Sequence, residues 1–69
     1  MRGVVADFDE GRGLGTIVAD DVTYPFHCTA LADGSRNVSP GAAVEFDVQA
    51  ADQGRWEATR IHRLADRGS

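Results

Sequence analysis

Histidine, cysteine and carboxylate side chains are the residues of this 69-residue chain with catalytic potential. His27 stands directly before Cys28, so a base and a nucleophile are neighbours in sequence. Successive residues of a strand point to opposite faces, which disfavours a dyad and makes Cys28 a small apolar filler. A chain of this length also buries too little surface for a deep cleft. The sequence therefore predicts no catalytic residue and no enzyme.

Two other patterns resemble ligand sites but lack a required feature. The acidic residues stand in turn-like stretches whose spacing matches no calcium loop, and there is no CxxC or His/Cys cluster. Residues 11–15 are rich in glycine, but Thr16 occupies the position where a dinucleotide-binding loop needs its third glycine. We therefore expect no metal, no cofactor and no small-molecule substrate.

The charge balance limits the partners of the chain. Seven basic residues, all of them arginine, stand against eleven acidic ones, and the net charge is −4. This balance disfavours duplex DNA and anionic membranes. No signal peptide or apolar run of membrane-spanning length is found, and one cysteine cannot form an internal disulfide, so a cytoplasmic location is expected.

Apolar residues alternate with a period of two, which predicts a small all-β domain. The clearest run is 43–49, where Val44, Phe46 and Val48 alternate with acidic residues, and this pattern disfavours a helix there. Five strands in so short a chain favour a closed or nearly closed barrel, because closure removes exposed edges. The predicted strands are residues 3–9, 14–19, 23–29, 43–49 and 56–63. The predicted core residues are Val5, Ile17, Tyr24, Phe26, Val44, Phe46, Val48 and Ile61.

One domain over residues 1–63 and a flexible C-terminal tail over residues 64–69 are the expected organisation. Turn-forming residues make 32–41 the longest irregular connection.

Four motifs resemble the bacterial cold-shock domain in order and spacing, over about residues 2–62. They are Gly3-x-Val5-x-x-Phe8, Gly13-Leu14-Gly15-Thr16-Ile17, Phe26-His27-Cys28-Thr29-Ala30-Leu31 and Gly41-x-x-Val44-x-Phe46-x-Val48. The resemblance implies a five-stranded antiparallel OB-type β-barrel. It also implies that single-stranded RNA or DNA binds by stacking its bases on exposed aromatic rings.

Most of the aromatic rings of that family are replaced in this chain. The family's platform aromatics correspond here to Asp7, Leu14, Thr16, Pro25 and Cys28. The retained positions are Phe8, His27 and a basic residue, Arg12. The ribonucleoprotein-like motifs are thus degenerate, and we expect weak binding with little sequence specificity.

Trp56 stands in the stretch where the family tends to carry proline and glutamine before the last strand. Two interpretations stay open: a relocated stacking ring next to Arg55, or a cover over one end of the barrel. The predicted nucleic-acid contacts are Phe8, Arg12, Leu14, His27 and Trp56. The alternative is a barrel that has lost nucleic-acid binding and meets a protein partner instead.

Overall fold

A single antiparallel sheet of five strands forms the framework of the protein. The computed structural model describes residues 1–34 and 37–64. The predicted fold class, all-β with five antiparallel strands, is confirmed. The strands are β1 (Arg2–Asp9), β2 (Leu14–Ala19), β3 (Val22–His27), β4 (Ala43–Ala50) and β5 (Trp56–Arg63). Their order in the sheet is β3-β2-β1-β4-β5.

Two turns with left-handed residues fix the register of the first three strands. In the β1–β2 turn Gly13 has a φ of 69° and donates its N–H to the Asp9 carbonyl at 2.8 Å. The β2–β3 turn consists of Asp20 and Asp21 with φ angles of 51° and 65°. Two left-handed residues in a two-residue loop are typical of a type I′ hairpin, whose twist matches that of the strands.

A bulge in β1 decides which side chains face the barrel interior. Val5 pairs with Ile17 and Asp7 pairs with Thr16, so Ala6 is an extra residue. In a regular strand Val5 and Phe8 would face opposite sides, because their separation is odd. The bulge brings both to the inner side, where Val5 is buried and Phe8 is half-buried.

A second bulge lies in β5, between the pairs Glu45–His62 and Asp47–Thr59. Arg60 occupies it with a φ of 50°. The bulge allows both Ala58 and Ile61 to be buried although three positions separate them.

The barrel closes where the chain after β3 meets β5. Leu31 forms a parallel bridge with Ile61, and the Ala32 N–H donates to the Ile61 carbonyl at 2.8 Å. Arg63 ties the following loop to the same strand, through an ion pair of 2.6 Å with Asp33 and a hydrogen bond to the Asn37 carbonyl.

Six of the eight predicted core residues are buried, together with two alanines from the predicted strands and two residues from outside them. Tyr24 and Val48 are half-buried and pack against it, whereas Leu31 and Val38 are fully buried although neither was predicted. The buried set is Val5, Ile17, Ala19, Phe26, Leu31, Val38, Val44, Phe46, Ala58 and Ile61.

The predicted extent of the third strand is wrong at its end. β3 stops at His27, and Cys28–Ala30 form a 3-10 turn. The cause is local, because the His27 side chain accepts a hydrogen bond from the Thr29 N–H and thereby caps the turn.

The C-terminal end of the described chain is Leu64, whose N–H donates to the Ala43 carbonyl at 3.0 Å. Leu64 is the first residue of the predicted tail, and residues 65–69 lie outside the described residues. Within the described chain, no helix has the length and apolar character to cross a bilayer.

Candidate functional site

The outer face of β2 and β3 holds two of the predicted contact residues side by side. Leu14 is the direct cross-strand partner of His27, and both side chains are exposed. The pair Thr16–Pro25 follows it along the strands. Partners in such a pair share a face and lie within contact distance. The sheet therefore offers a shallow, mostly uncharged strip on this side.

Thr29 holds the His27 ring in one orientation through two hydrogen-bond contacts. Nδ1 lies 3.2 Å from the Thr29 amide nitrogen and 2.9 Å from Thr29 Oγ1. Because Nδ1 accepts the amide hydrogen, a neutral ring carries its proton on Nε2. Nε2 is then a hydrogen-bond donor, and the contacts of Nδ1 with Thr29 set its position.

The prediction that alternation keeps Cys28 away from His27 is wrong. Cys28 lies in the 3-10 turn rather than in the strand, and its Sγ is 3.9 Å from His27 Nδ1. Nδ1 already accepts a hydrogen bond from the Thr29 N–H, so its lone pair is not free to take the proton of the Cys28 thiol. Within residues 1–34 and 37–64, no group of three His, Cys, Asp or Glu side chains is placed to hold a metal ion.

Phe8 lies on the inner side of β1, opposite Gly15. Its ring stacks on Phe26 with centroids 5.9 Å apart and an interplanar angle of 11°. Because the ring is half-buried and one face meets Phe26, it offers less area to a ligand than a fully exposed platform ring would.

The β1 side of the outer face is acidic. Asp7 is the partner of Thr16 and accepts a hydrogen bond of 3.0 Å from its hydroxyl group, while Asp9 is the partner of Leu14. Arg12 lies in the turn just before Leu14, and its backbone N–H donates to Asp9 at 3.2 Å. The predicted contacts Arg12, Leu14 and His27 therefore lie at one end of the sheet, next to carboxylates.

Trp56 lies apart from them, at the free edge of β3. It lines an open groove of about 600 Å³, here called the Trp56 groove, and 58% of the residue is exposed. A buried cover over the barrel end would not be so exposed. The lining consists of Met1, Val22, Thr23, Tyr24, Pro25, Val48, Arg55 and Trp56.

This groove is the feature that sequence reasoning missed, apart from Trp56 and Arg55. Four consecutive residues of β3 line it, so it runs along the edge of that strand and receives side chains from both faces. Periodicity within a strand carries no signal for such a groove, because it depends on how β3 and β5 approach each other.

Two further arginines, one in β1 and one in β5, have acidic neighbours. Arg2 is the cross-strand partner of Glu45, and Arg60 lies 3.9 Å from Asp47. Neither lines the Trp56 groove. The positive charge is thus dispersed around the described part of the barrel rather than collected on one face.

Comparison with solved structures identifies the type of fold. No protein-family model and no curated protein matches the chain. Among solved structures, a Drosophila Unr chain, CSD456, is 28% identical with a TM-score of 0.75 and covers 99% of this chain. This chain spans 28% of the length of the Unr chain. The five-stranded barrel is thus of the cold-shock domain type, an OB-type fold.

Proposed function

We propose that this protein binds single-stranded RNA or DNA, as a diverged domain of the bacterial cold-shock type that catalyses no reaction. The observation that carries the proposal is the cold-shock domain fold, matched over 99% of the chain. Unpaired bases suit such a barrel because every base offers a π face for stacking. The proposed contacts are Phe8, Arg12, Leu14, His27 and Trp56.

Binding in this proposal is weak and has little sequence preference. A base stacked on an aromatic ring contributes about 1 to 3 kcal/mol, and the outer strip has Leu14, Thr16 and Pro25 in place of rings. Asp7 adds a negative charge next to this strip and repels phosphate. The fixed imidazole of His27 supports binding, since little rotamer freedom is lost when a base contacts it.

The surroundings of the Cys28 thiol favour a binding role over catalysis. Cys28 Sγ is 3.9 Å from His27 Nδ1, and this nitrogen already accepts a hydrogen bond from Thr29. The imidazole is therefore not placed to take the proton of the thiol and activate it as a nucleophile. The proposal places the protein in the cytoplasm, where an unpaired cysteine stays reduced.

A titration followed at two sites tests the proposal. Trp56 is the only tryptophan, so its fluorescence is recorded while heptathymidine or heptauridine is added at low and at near-physiological salt. The signals of His27 are followed by NMR in the same titration. We expect saturable changes at His27 that weaken as salt rises, because bound phosphates release counterions.

The two histidines provide a matched control. His27→Ala is expected to weaken binding, whereas His62→Ala is not, because the exposed His62 lies on β5 opposite Glu45. If neither Trp56 nor His27 responds to either oligonucleotide at high micromolar concentration, the proposal is wrong. The barrel would then be better explained as a protein-interaction module.

A further inference from the structure

The Trp56 groove has the shape and surface of a ligand site. Its volume of about 600 Å³ falls within the roughly 300 to 1,000 Å³ of small-molecule sites. The Tyr24 ring and the Val48 side chain are half-buried in its lining, while the Trp56 ring stands exposed. An exposed tryptophan beside an apolar surface provides a flat face for another ring.

The charge of the groove favours an anionic ligand. Arg55 carries the only charged side chain among the described residues that line it, while Asp52 and Glu57 line the adjoining depression together with Arg55. The outer face of β1, by contrast, presents Asp7 and Asp9. Inside the groove a phosphate therefore meets the Arg55 guanidinium and no carboxylate of the described lining, whereas on the outer face of β1 it meets two carboxylates.

The edge of β3 adds hydrogen-bonding groups to this apolar surface. Within residues 1–34 and 37–64, β3 pairs only with β2, so its other edge presents backbone N–H and C=O groups along the groove. Pro25 contributes no N–H, but the neighbouring Thr23 adds a hydroxyl group. A heterocycle with polar edges matches this lining better than a purely apolar ligand does.

The groove is continuous with the outer strip that contains His27. Pro25 lines the groove and is also the partner of Thr16 on the outer face. It precedes His27 by two residues, which is about 7 Å along a strand. A flexible chain in contact with His27 therefore reaches the groove without crossing β1.

From these features we propose that the Trp56 groove is a nucleobase site. One unpaired base of a single strand stacks on the Trp56 ring, and the adjoining phosphate contacts the Arg55 guanidinium. This inference rests on the proposed function and makes it more specific, because it moves the main contact from the outer faces of β1, β2 and β3 to the free edge of β3. RNA and DNA share this base-and-phosphate chemistry.

The experiment measures the Kd of fluorescein-labelled heptathymidine and heptauridine by anisotropy, with an abasic heptamer as a ligand that keeps only the phosphates. Trp56→Ala is expected to weaken binding about 5- to 150-fold, the range for one stacked base. Trp56→Phe keeps a ring and should retain most of the affinity. Arg55→Gln should lower the slope of log Kd against log salt by about 0.7, the value for one phosphate of a single strand. The abasic heptamer should bind wild type and Trp56→Ala alike.

Arg60→Asn is the matched charge control for Arg55→Gln. It removes one arginine that lies outside the groove, and asparagine tolerates the left-handed backbone of this position. If Arg60→Asn changes the salt slope as much as Arg55→Gln does, the contact assigned to Arg55 is wrong. NMR spectra confirm that each variant is folded, and Trp56→Phe and Arg55→Gln keep the test decisive should Trp56→Ala unfold.

The outcomes separate the two proposals. Heptathymidine that binds wild type and Trp56→Ala equally, but binds His27→Ala less tightly, would leave the proposed function standing and overturn the nucleobase site. An abasic heptamer that binds as tightly as heptathymidine would also overturn it, because no base is then recognised. A wild-type protein that binds neither oligonucleotide overturns both.

Discussion

Leu14 of β2 and His27 of β3 lie directly opposite each other on the outer face of the sheet. Side chains in this relationship have Cβ atoms about 4.5 to 5.5 Å apart. A ligand that contacts the His27 imidazole therefore also contacts the side chain at position 14. The imidazole is already oriented by Thr29. Position 14 is thus the place where one added ring would extend an existing contact surface.

Leu14→Phe is expected to strengthen the binding of heptathymidine, because a ring opposite His27 provides one more stacking surface. A single stacked base corresponds to about a 5- to 150-fold change in Kd. Anisotropy with a labelled oligonucleotide measures it. Val4→Phe is the control, since Val4 on β1 has the same 47% exposure as Leu14 but no histidine partner. Equal gains from both variants would mean that added apolar area, rather than stacking beside His27, explains the effect.

The strands were predictable from sequence where one face is buried and the other is exposed to solvent. Val44 and Phe46 are buried on either side of the exposed Glu45, and this alternation is visible in the sequence itself. The bulges at Ala6 and Arg60 were not predicted, because an inserted residue breaks the period and leaves no other signal. The end of β3 depends on a side-chain cap from His27, which periodicity also does not report.

Gly15→Ala is expected to destabilise the barrel. A Cβ atom there would lie 2.7 Å from both the Asp7 carbonyl oxygen and Phe26 Cζ, so backbone and core must shift. Overpacking of this kind costs typically 1 to 3 kcal/mol, against a total of roughly 3 to 10 kcal/mol for a chain of this size. Urea unfolding measures the difference. Gly11→Ala is the control, because its Cβ would meet only an Asp9 side-chain oxygen at 3.5 Å; equal losses in the two variants would contradict this account.

The candidate site was predicted one residue at a time, and its arrangement was not. Framework spacing led to His27, Leu14 and Arg12, which do lie at one end of the sheet. Trp56 was singled out because it departs from the pattern of the family that the chain resembles, but Tyr24 and Met1, which line the groove with it, come from distant parts of the chain. Contacts between β3 and β5 depend on how the barrel closes, so the pattern of residues within one strand does not predict them.

Arg60→Gly is expected to stabilise the protein, and Arg60→Val to destabilise it. Arg60 has a φ of 50°, a conformation that costs about 1 kcal/mol or more for a residue with a side chain and most for a β-branched one. Loss of the 3.9 Å contact with Asp47 matters little, because exposed ion pairs contribute about 0 to 1 kcal/mol. Thermal unfolding ranks the variants, with Arg60→Asn as the charge-matched reference. A valine variant as stable as the glycine variant would mean that the bulge is absent in solution.

Asp52→Asn and Asp7→Asn each remove one exposed negative charge, but from different places. Asp52 lines a shallow depression with Arg55, Pro25 and Glu57, beside the Trp56 groove, whereas Asp7 lies on the outer face of β1. If the nucleic acid follows the edge of β3, Asp52→Asn should tighten binding by up to about fivefold near physiological salt, and Asp7→Asn by less.

Salt sharpens this comparison, because charges act over only about 8 Å at 0.15 M but over about 30 Å at 0.01 M. The two variants should therefore become more alike as the salt concentration falls. Both exchanges are conservative: the Asp52 carbonyl still accepts from the Arg55 N–H, and an asparagine at position 7 keeps an oxygen for the Thr16 hydroxyl group. A larger gain from Asp7→Asn near physiological salt would place the nucleic acid over the outer faces of β1, β2 and β3, where the resemblance implies the platform, and away from Trp56.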